Sequence, residues 1–381
     1  MQPTCKIFDV YPIYNIEIAK ANGSDLWDET GKHYLDMYGG HAVISIGHTN
    51  PHYVKTLTDQ LSNIGFYSNS VKIPSQQHLA NLLGELSGKD DYQLFLCNSG
   101  AEANENALKL ASFHTGRKKV ISFTSGFHGR TSLAVAATDI PSIVAPINQT
   151  ENIIFLPFND AEALRKCFSE EGDNIAAVII EAIQGVGGIK IATKEFLTLI
   201  RELCDNSGAL LIADEVQCGC GRTGMYFAMD ISGINADIYS MAKGIGNGFP
   251  IGAIMIAPHI VPKHGMLGTT FGGNHLAVAA AIAVAEVIKK DDLMQNAKNM
   301  GDYIASELSD VEGIIDIRGE GLMIGIDLAQ SAAPFRKQLI EKHCIFVGSA
   351  STPETFRLLP TLNITKEHVD TTIAAIKDLL K

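Results

Sequence analysis

The sequence predicts an α/β protein with a mostly parallel central sheet covered by helices, and a smaller α+β unit beside it. Three observations predict it. Continuous apolar runs at 176–180 and 209–213 lack the alternation of a half-wet strand, so both of their faces must be covered. Stretches with helical spacing separate these runs, as in repeated βα units. Polar and glycine-rich clusters follow the runs, at the strand ends where parallel sheets gather ligands.

Along the chain, residues 1–45 carry short extended pieces at 25–28 and 33–36, set apart by Gly23 and Gly31, which suggests a small antiparallel unit. From Pro51 the pattern changes to helices between buried strands. Helical spacing runs over 76–86, 101–114 and 195–207, and strand-like runs occupy 93–97, 119–123, 176–180, 209–213 and 252–257. Residues 274–308 read as one long helix, or two joined end to end with a break near Asp291-Asp292. Strand candidates at 313–318, 322–327 and 356–359 then alternate with helices at 333–343 and 366–380. The predicted division is a segment 1–45 that joins the smaller domain, a large domain 46–284 and a C-terminal α+β domain 285–381.

A chain of 381 residues, 46% hydrophobic and 19% charged, is long enough for a sizeable core and more than one domain. Its formal charge of -12, with both signs interspersed, argues against nucleic acid or an anionic membrane surface as a partner. Residues 1–6 lack the apolar core of a secretory signal, and the apolar stretch 276–284 is too short to span a bilayer, so cytoplasmic residence is the simplest expectation. Seven cysteines, at 5, 97, 167, 204, 218, 220 and 344, form no disulfide framework. Cys218-Gly-Cys220 does not match zinc spacing and has no close histidine, so no metal is expected.

The most informative stretch is the apolar run ending at Asp214, followed by a second short run ending before Lys243. That places a carboxylate and an amine at the C-terminal ends of neighbouring strands. Pyridoxal phosphate needs such a pair: an amine for its aldehyde, and an anion that keeps its ring nitrogen protonated. An aspartate after a strand also serves as a metal ligand or helix cap, and a lysine in a glycine-rich segment as a surface residue.

Other clusters extend the same reading. Ser99, Gly100 and Ala101 join a strand to a helix whose first N–H groups and dipole suit a phosphate, provided that Glu102 points away; a plain capped turn is the competing account. Phe127 is placed to stack on a flat ring and Arg130 to meet a carboxylate, or else they serve as core residue and ion-pair partner. Glu181 puts a further carboxylate at a strand end before a glycine loop. Thr269 and Thr270 offer hydroxyls for a phosphate or substrate, and also suit ordinary strand chemistry. Arg357 lies inside an apolar strand, where a guanidinium needs an anion, either a substrate carboxylate or a structural partner. The glycines after Glu181 match neither a dinucleotide fingerprint nor a P-loop, no serine sits in a nucleophile elbow, and His33, His41, His48, His52 and His78 lack metal-ligand spacing.

Taken together, Asp25-Leu-Trp-Asp28, Asn98-Ser-Gly-Ala-Glu-Ala103, Phe127-His-Gly-Arg-Thr131, Asp214-Glu-Val-Gln217, Gly221-Arg-Thr-Gly224, Ala242-Lys-Gly-Ile-Gly-Asn-Gly-Phe-Pro250 and Thr270-Phe-Gly-Gly-Asn274 recur in order across almost the whole chain. In these the sequence resembles the class III, or ornithine-type, pyridoxal-phosphate aminotransferases, nearest the acetylornithine/succinylornithine branch. The resemblance implies the pyridoxal 5'-phosphate (PLP)-dependent transferase fold type I. It implies that Lys243 forms the Schiff base, that Asp214 pairs with the ring nitrogen and that Gln217 lies near the ring hydroxyl. Ser99, Gly100, Ala101 and Thr270 would hold the phosphate, with Phe127 packed against the ring. Arg130, Thr269 and Arg357 would belong to the substrate site, and Glu181 would support it from behind.

The implied reaction moves the terminal amino group of N-acetylornithine or N-succinylornithine to 2-oxoglutarate, in a homodimer where Thr270 reaches the neighbouring cofactor. The alternatives are an aminotransferase for 4-aminobutyrate or another ω-amino acid, and a non-catalytic protein that keeps the fold. Two departures bear on the substrate. Ala182 and Val186 stand where the family has Pro and Glu in Glu-Pro-Ile-Gln-Gly-Glu, and His275 replaces a proline. In the ornithine branch that glutamate neutralises the arginine matching Arg357, a pairing that Val186 cannot make.

Overall fold

The computed structural model describes residues 6–381, so Cys5 lies outside the described residues. At its centre, seven strands run in the spatial order Gln93–Cys97, Gly252–Ile256, Ile238–Met241, Leu210–Asp214, Ile175–Ile180, Lys119–Phe123 and Ile153–Leu156. All neighbouring pairs are parallel except the two made by Gly252–Ile256, which runs antiparallel to both of its neighbours.

The unbroken apolar runs follow from cover on both faces. Ile212, Ile238 and Ile254 pack with Ala103, Ala107 and Ala111 of the helix Gly100–Thr115. The alternate positions Leu211, Ala213, Tyr239, Met241 and Met255 join a core on the opposite face that includes Leu79 and Leu83, Phe196 and Ile200, and Ala277 and Ala281. Alternate side chains of a strand point to opposite faces, so each of these strands has to be apolar at every position. The alanines of Gly100–Thr115, four apart on one face, let that helix lie close on the sheet.

Residues 274–308 form two helices, His275–Lys290 and Leu293–Leu308. Asn274 Oδ1 caps the first by accepting from Ala277 N at 2.9 Å. Asp292, at φ +48°, breaks the run in a left-handed residue and redirects the chain, so that Leu293 and Ala297 enter the second core.

That second core lies under two smaller sheets. One is antiparallel, in the order Ile314–Glu320, Met323–Leu328, Thr355–Leu358, Gly348–Ser349. It shares its core with the helices Leu293–Leu308, Ala332–His343 and Lys366–Leu379 through Ile304, Phe335, Leu339 and Ile373. The other holds the strands Ile18–Asn22, Asp25–Asp28 and His33–Asp36, antiparallel as their local pattern suggests. A fourth strand, Ile345–Phe346, closes it in parallel with His33–Asp36, which ties the start of the chain to its end. Among the described residues no helix is long and apolar enough to cross a membrane.

Candidate active site

Parallel pairing of Leu210–Asp214 with Ile238–Met241 sets Asp214 opposite Ser240, and Lys243 follows two residues beyond that strand end. Lys243 adopts φ +47°, a left-handed conformation that a lysine does not take without support. The support comes from the segment 45–47. Ser45 Oγ donates to Gly244 O at 2.6 Å, while Asn247 Oδ1 accepts from Ser45 N at 2.8 Å and Ile46 N at 3.0 Å. Asn247 Nδ2 donates to Gly47 O at 3.0 Å, so the turn is held from both sides.

The Lys243 side chain enters a cavity of about 250 Å³. Of the residues singled out in the sequence, Gly100, Ala101, Phe127 and Arg130 line it, as do Glu181, Asp214, Gln217 and Lys243. Arg357 stands behind Gln217, donating from Nη1 to Gln217 Oε1 at 2.9 Å and from Nε to Ser349 O at 2.5 Å. Three residues lie elsewhere within one chain. Ser99 Oγ caps the helix by accepting from Glu102 N at 3.1 Å. Thr269 lines a separate cavity of about 970 Å³, with Oγ1 accepting from Asn98 Nδ2 and from Gly272 N, each at 3.1 Å. Thr270 is exposed at the surface.

Glu102 does not line the cavity. Its carboxylate turns back to accept from Asn98 N at 2.7 Å and Asn98 Nδ2 at 3.2 Å. The first N–H groups of the helix, at Gly100 and Ala101, have no acceptor within the helix and border the cavity. Gly100 also allows a close approach, because a Cβ there would stand 2.7 Å from Val216 Cγ1.

Four residues that the sequence reading did not single out complete the site. Asp214, 3% exposed, accepts from Asn104 Nδ2 and from His128 Nδ1, each at 2.7 Å, and from Val216 N at 3.0 Å. Asn104 is held in turn by Ser240 Oγ, which donates to its Oδ1 at 2.6 Å, and by its own second bond to His128 O at 2.7 Å. A polar residue on the alanine face of a buried helix was the available signal for Asn104; His128 and Val216 sit inside segments already singled out. Val216 lines the cavity along with Phe127.

The electrostatics follow from burial. Burial alone lowers the pKa of His128, but the hydrogen bond and charge of Asp214, helped by Glu181, leave it raised. Glu181 accepts from Phe127 N at 3.0 Å and Gly185 N at 2.9 Å. Burial, opposed by His128 and reinforced by Asp214, pushes its carboxyl up to about 7. Burial also lowers the Lys243 pKa against the pull of Asp214 and Glu181, which favours the neutral amine. The Arg357 pKa is lowered by burial, only partly offset by Tyr38 and Glu181. Cys218 and Cys220 are buried thiols, with burial the main cause of their raised pKa values.

This arrangement fits pyridoxal phosphate. A partly buried amine with no hydrogen bond or ion pair among the described residues shares one cavity with a fixed carboxylate and the free N–H groups of a helix start. Residues 9–380 match the family described as Aminotransferase class-III. The chain is 42% identical to an acetylornithine aminotransferase of Archaeoglobus fulgidus, over 96% of this chain and 95% of that protein. It is 38% identical to the acetylornithine aminotransferase of Bacillus subtilis, over 98% and 97% of the two chains. Among solved structures, the ornithine aminotransferase of Toxoplasma gondii superposes with a TM-score of 0.90 at 28% identity, covering 99% of this chain and 91% of that one. An acetylornithine aminotransferase from Elizabethkingia anophelis gives 0.86 at 30% identity, covering 97% and 95%.

Proposed function

We propose that this chain, which belongs to the class III aminotransferases and depends on pyridoxal 5'-phosphate, acts on an N-acylornithine. The terminal amino group of N-acetylornithine or N-succinylornithine passes to 2-oxoglutarate, giving the N-acylglutamate semialdehyde and glutamate. The fold is that of the PLP-dependent transferases of fold type I. The observation that carries the substrate reading is Arg357, a guanidinium 3% exposed with no carboxylate in ion-pair contact among the described residues. A buried cation without a counter-ion is costly, and a substrate carboxylate would supply the missing charge. Val186 lines the Lys243 cavity, which Arg357 adjoins through Gln217, and it offers Arg357 no carboxylate. The names of relatives 37–42% identical over nearly the whole chain support the acylornithine class.

When bound, the cofactor supplies an electrophilic carbonyl carbon and an electron-withdrawing ring. The protein supplies the rest. Gly100 and Ala101 would receive the phosphate at their N–H groups, with the helix dipole favouring the anion. Phe127 and Val216 would flank the ring, and Asp214, fixed by Asn104 and His128, would meet the ring nitrogen. Gln217 would approach the ring hydroxyl. Lys243 Nζ, biased toward the neutral amine by burial, would hold the cofactor carbon and serve to move a proton to and from the substrate's amine-bearing carbon. Arg357 would hold the α-carboxylate and Arg130, which makes no hydrogen bond or ion pair among the described residues, a second carboxylate.

We further propose a cytoplasmic homodimer in which Thr270 of each subunit completes the phosphate site of the other, with Thr269 beside it. Residues 46–284 would form the cofactor-binding domain, and 285–381 with 1–45 the smaller one. A substrate panel tests the function: N-acetylornithine, N-succinylornithine, ornithine and 4-aminobutyrate, each with 2-oxoglutarate. The acylornithines should give the highest kcat/KM. A higher value for 4-aminobutyrate would assign the protein to ω-amino acids instead.

A further inference from the structure

Arg357 does not stand alone on its sheet. One row of residues crosses all four strands: Arg318 is the register partner of Gly325, Gly325 of Arg357, and Arg357 of Gly348. Residues directly opposite one another in antiparallel neighbours project on the same face. Two arginines therefore flank a glycine on the face from which Arg357 reaches Gln217.

That glycine makes room for the loop that follows Glu181. A Cβ on Gly325 would stand 3.0 Å from Ile189 Cβ and 3.2 Å from Gly188 O, so the loop backbone lies directly on the strand. Ile189 is buried at φ +57°, a costly conformation for a β-branched residue that persists only where its surroundings hold it. The sheet supplies the hold. Arg318 donates to Gly188 O from Nε at 2.9 Å and from Nη2 at 2.7 Å. Its fork is fixed in turn on Asp327, with Nη1 to Oδ2 at 2.7 Å and Nη2 to Oδ1 at 2.9 Å, and Nη1 also meets Asp316 Oδ2 at 2.6 Å. Thr355 Oγ1, on the same strand as Arg357, donates to Asp327 Oδ1 at 2.5 Å. Ser351 adds a second grip, donating to Val186 O from N at 2.9 Å and from Oγ at 3.1 Å.

The other end of the loop meets the substrate side. Gly188 N donates to Gly185 O at 3.2 Å, which closes the loop into a tight turn. Gly185 packs on the Gln217 carboxamide so closely that a Cβ there would fall 1.9 Å from Oε1, the atom that accepts from Arg357 Nη1. Val186, the next residue, lines the Lys243 cavity. A slip of this turn would move Gln217, the cavity wall and the aim of Arg357 together.

We propose that Arg318 is a positioning residue for the substrate carboxylate: by clamping Gly188 to the sheet that bears Arg357, it fixes the loop against Gln217 and so sets the direction in which Arg357 presents its fork. Arg318 itself does not touch the substrate. This inference rests on the reading of Arg357 as the carboxylate-binding group.

The test is calorimetric titration of the holoenzyme with glutarate, a dicarboxylate shaped like 2-oxoglutarate but without the reacting carbonyl, beside steady-state kinetics in 2-oxoglutarate. Arg318→Gln should raise Kd for glutarate and KM for 2-oxoglutarate together by about tenfold, the scale of a misaimed charge-assisted contact, with kcat changed by less than about twofold. The cofactor absorbance should not change. Arg318→Lys keeps a charge beside Asp327 but cannot serve Asp327 and Gly188 O with one fork, so it should fall between wild type and the glutamine variant. Gly325→Ala leaves every clamping atom in place and pushes the loop from beneath, and it should raise both constants about threefold; it decides the matter if the Arg318 variants do not fold. A merely structural arginine would lower the folded fraction or kcat and leave Kd and KM where they were. That result, or unchanged constants in folded Arg318→Gln and Gly325→Ala, overturns the clamp. Arg357→Lys is the reference: if it binds glutarate as tightly as wild type does, or if the wild type does not bind glutarate, the reading of Arg357 falls, and the clamp with it.

Discussion

Replacing Glu181 with glutamine should change how stability depends on pH, and the size of the change can be worked from the site. The wild-type carboxyl is buried, accepts from Phe127 N and Gly185 N, and is pushed from 4.5 to about 7 chiefly by loss of solvent. At about 1.4 kcal/mol per pKa unit, that shift corresponds to roughly 3 kcal/mol. A carboxyl raised on folding binds its proton more tightly in the folded state. Its favourable contribution is therefore full below pH 4.5 and lost as the pH climbs to about 7. His128, raised above 6.5 partly by the Glu181 charge, has the same sign, and it loses that part of its shift in the glutamine variant, which acts in the same direction. The glutamine cannot ionise. It also turns an amide NH₂ toward one of the two backbone N–H groups, at a cost of about 1–3 kcal/mol that does not vary with pH. Urea unfolding of the cofactor-free proteins from pH 4.5 to 8 should show Glu181→Gln less stable than wild type in acid. That deficit should close or reverse, by roughly 3 kcal/mol, as the pH passes 7. A difference that stays constant across the range, or that widens with pH, would refute this account of Glu181.

Three other substitutions probe separate parts of the site. Asn104→Ala removes a buried amide that bonds Asp214, His128 O and Ser240, and thermal unfolding should show a loss of about 2–4 kcal/mol from the groups left unpaired. Gly100→Ala places a Cβ 2.7 Å from Val216 Cγ1, and equilibrium dialysis should find cofactor binding weakened about tenfold as the helix start is displaced. Arg357→Lys keeps a charge but loses the fork that bonds Gln217 and Ser349 together; steady-state kinetics should show KM for 2-oxoglutarate raised about tenfold or more, with a smaller change in kcat.

How much of this was legible in the sequence depended on whether the signal was local. Asp214 and Lys243 could be read because each follows an apolar run closely, and the parallel sheet then has little freedom but to align them. The break at Asp291-Asp292 was legible for the same reason. Ile153–Leu156 gave little signal as a strand: it lies at the sheet edge, with Phe155 39% exposed, and Pro157 follows at once. The helix Ala161–Glu171 buries only Leu164, Cys167 and Phe168, too few to stand out as an apolar stripe. The pairing of Ile345–Phe346 with His33–Asp36 and the bond from Arg357 to Gln217 join residues far apart in the chain, and spacing carries no trace of either.

The central claim is that Lys243 is the amine that engages the cofactor. The direct measurement is to reduce the holoenzyme with borohydride and map the modified peptide by mass spectrometry. A single pyridoxyl-phosphate adduct on Lys243 is the result predicted. An adduct on another lysine, with Lys243 recovered unmodified, would contradict the site from its foundation.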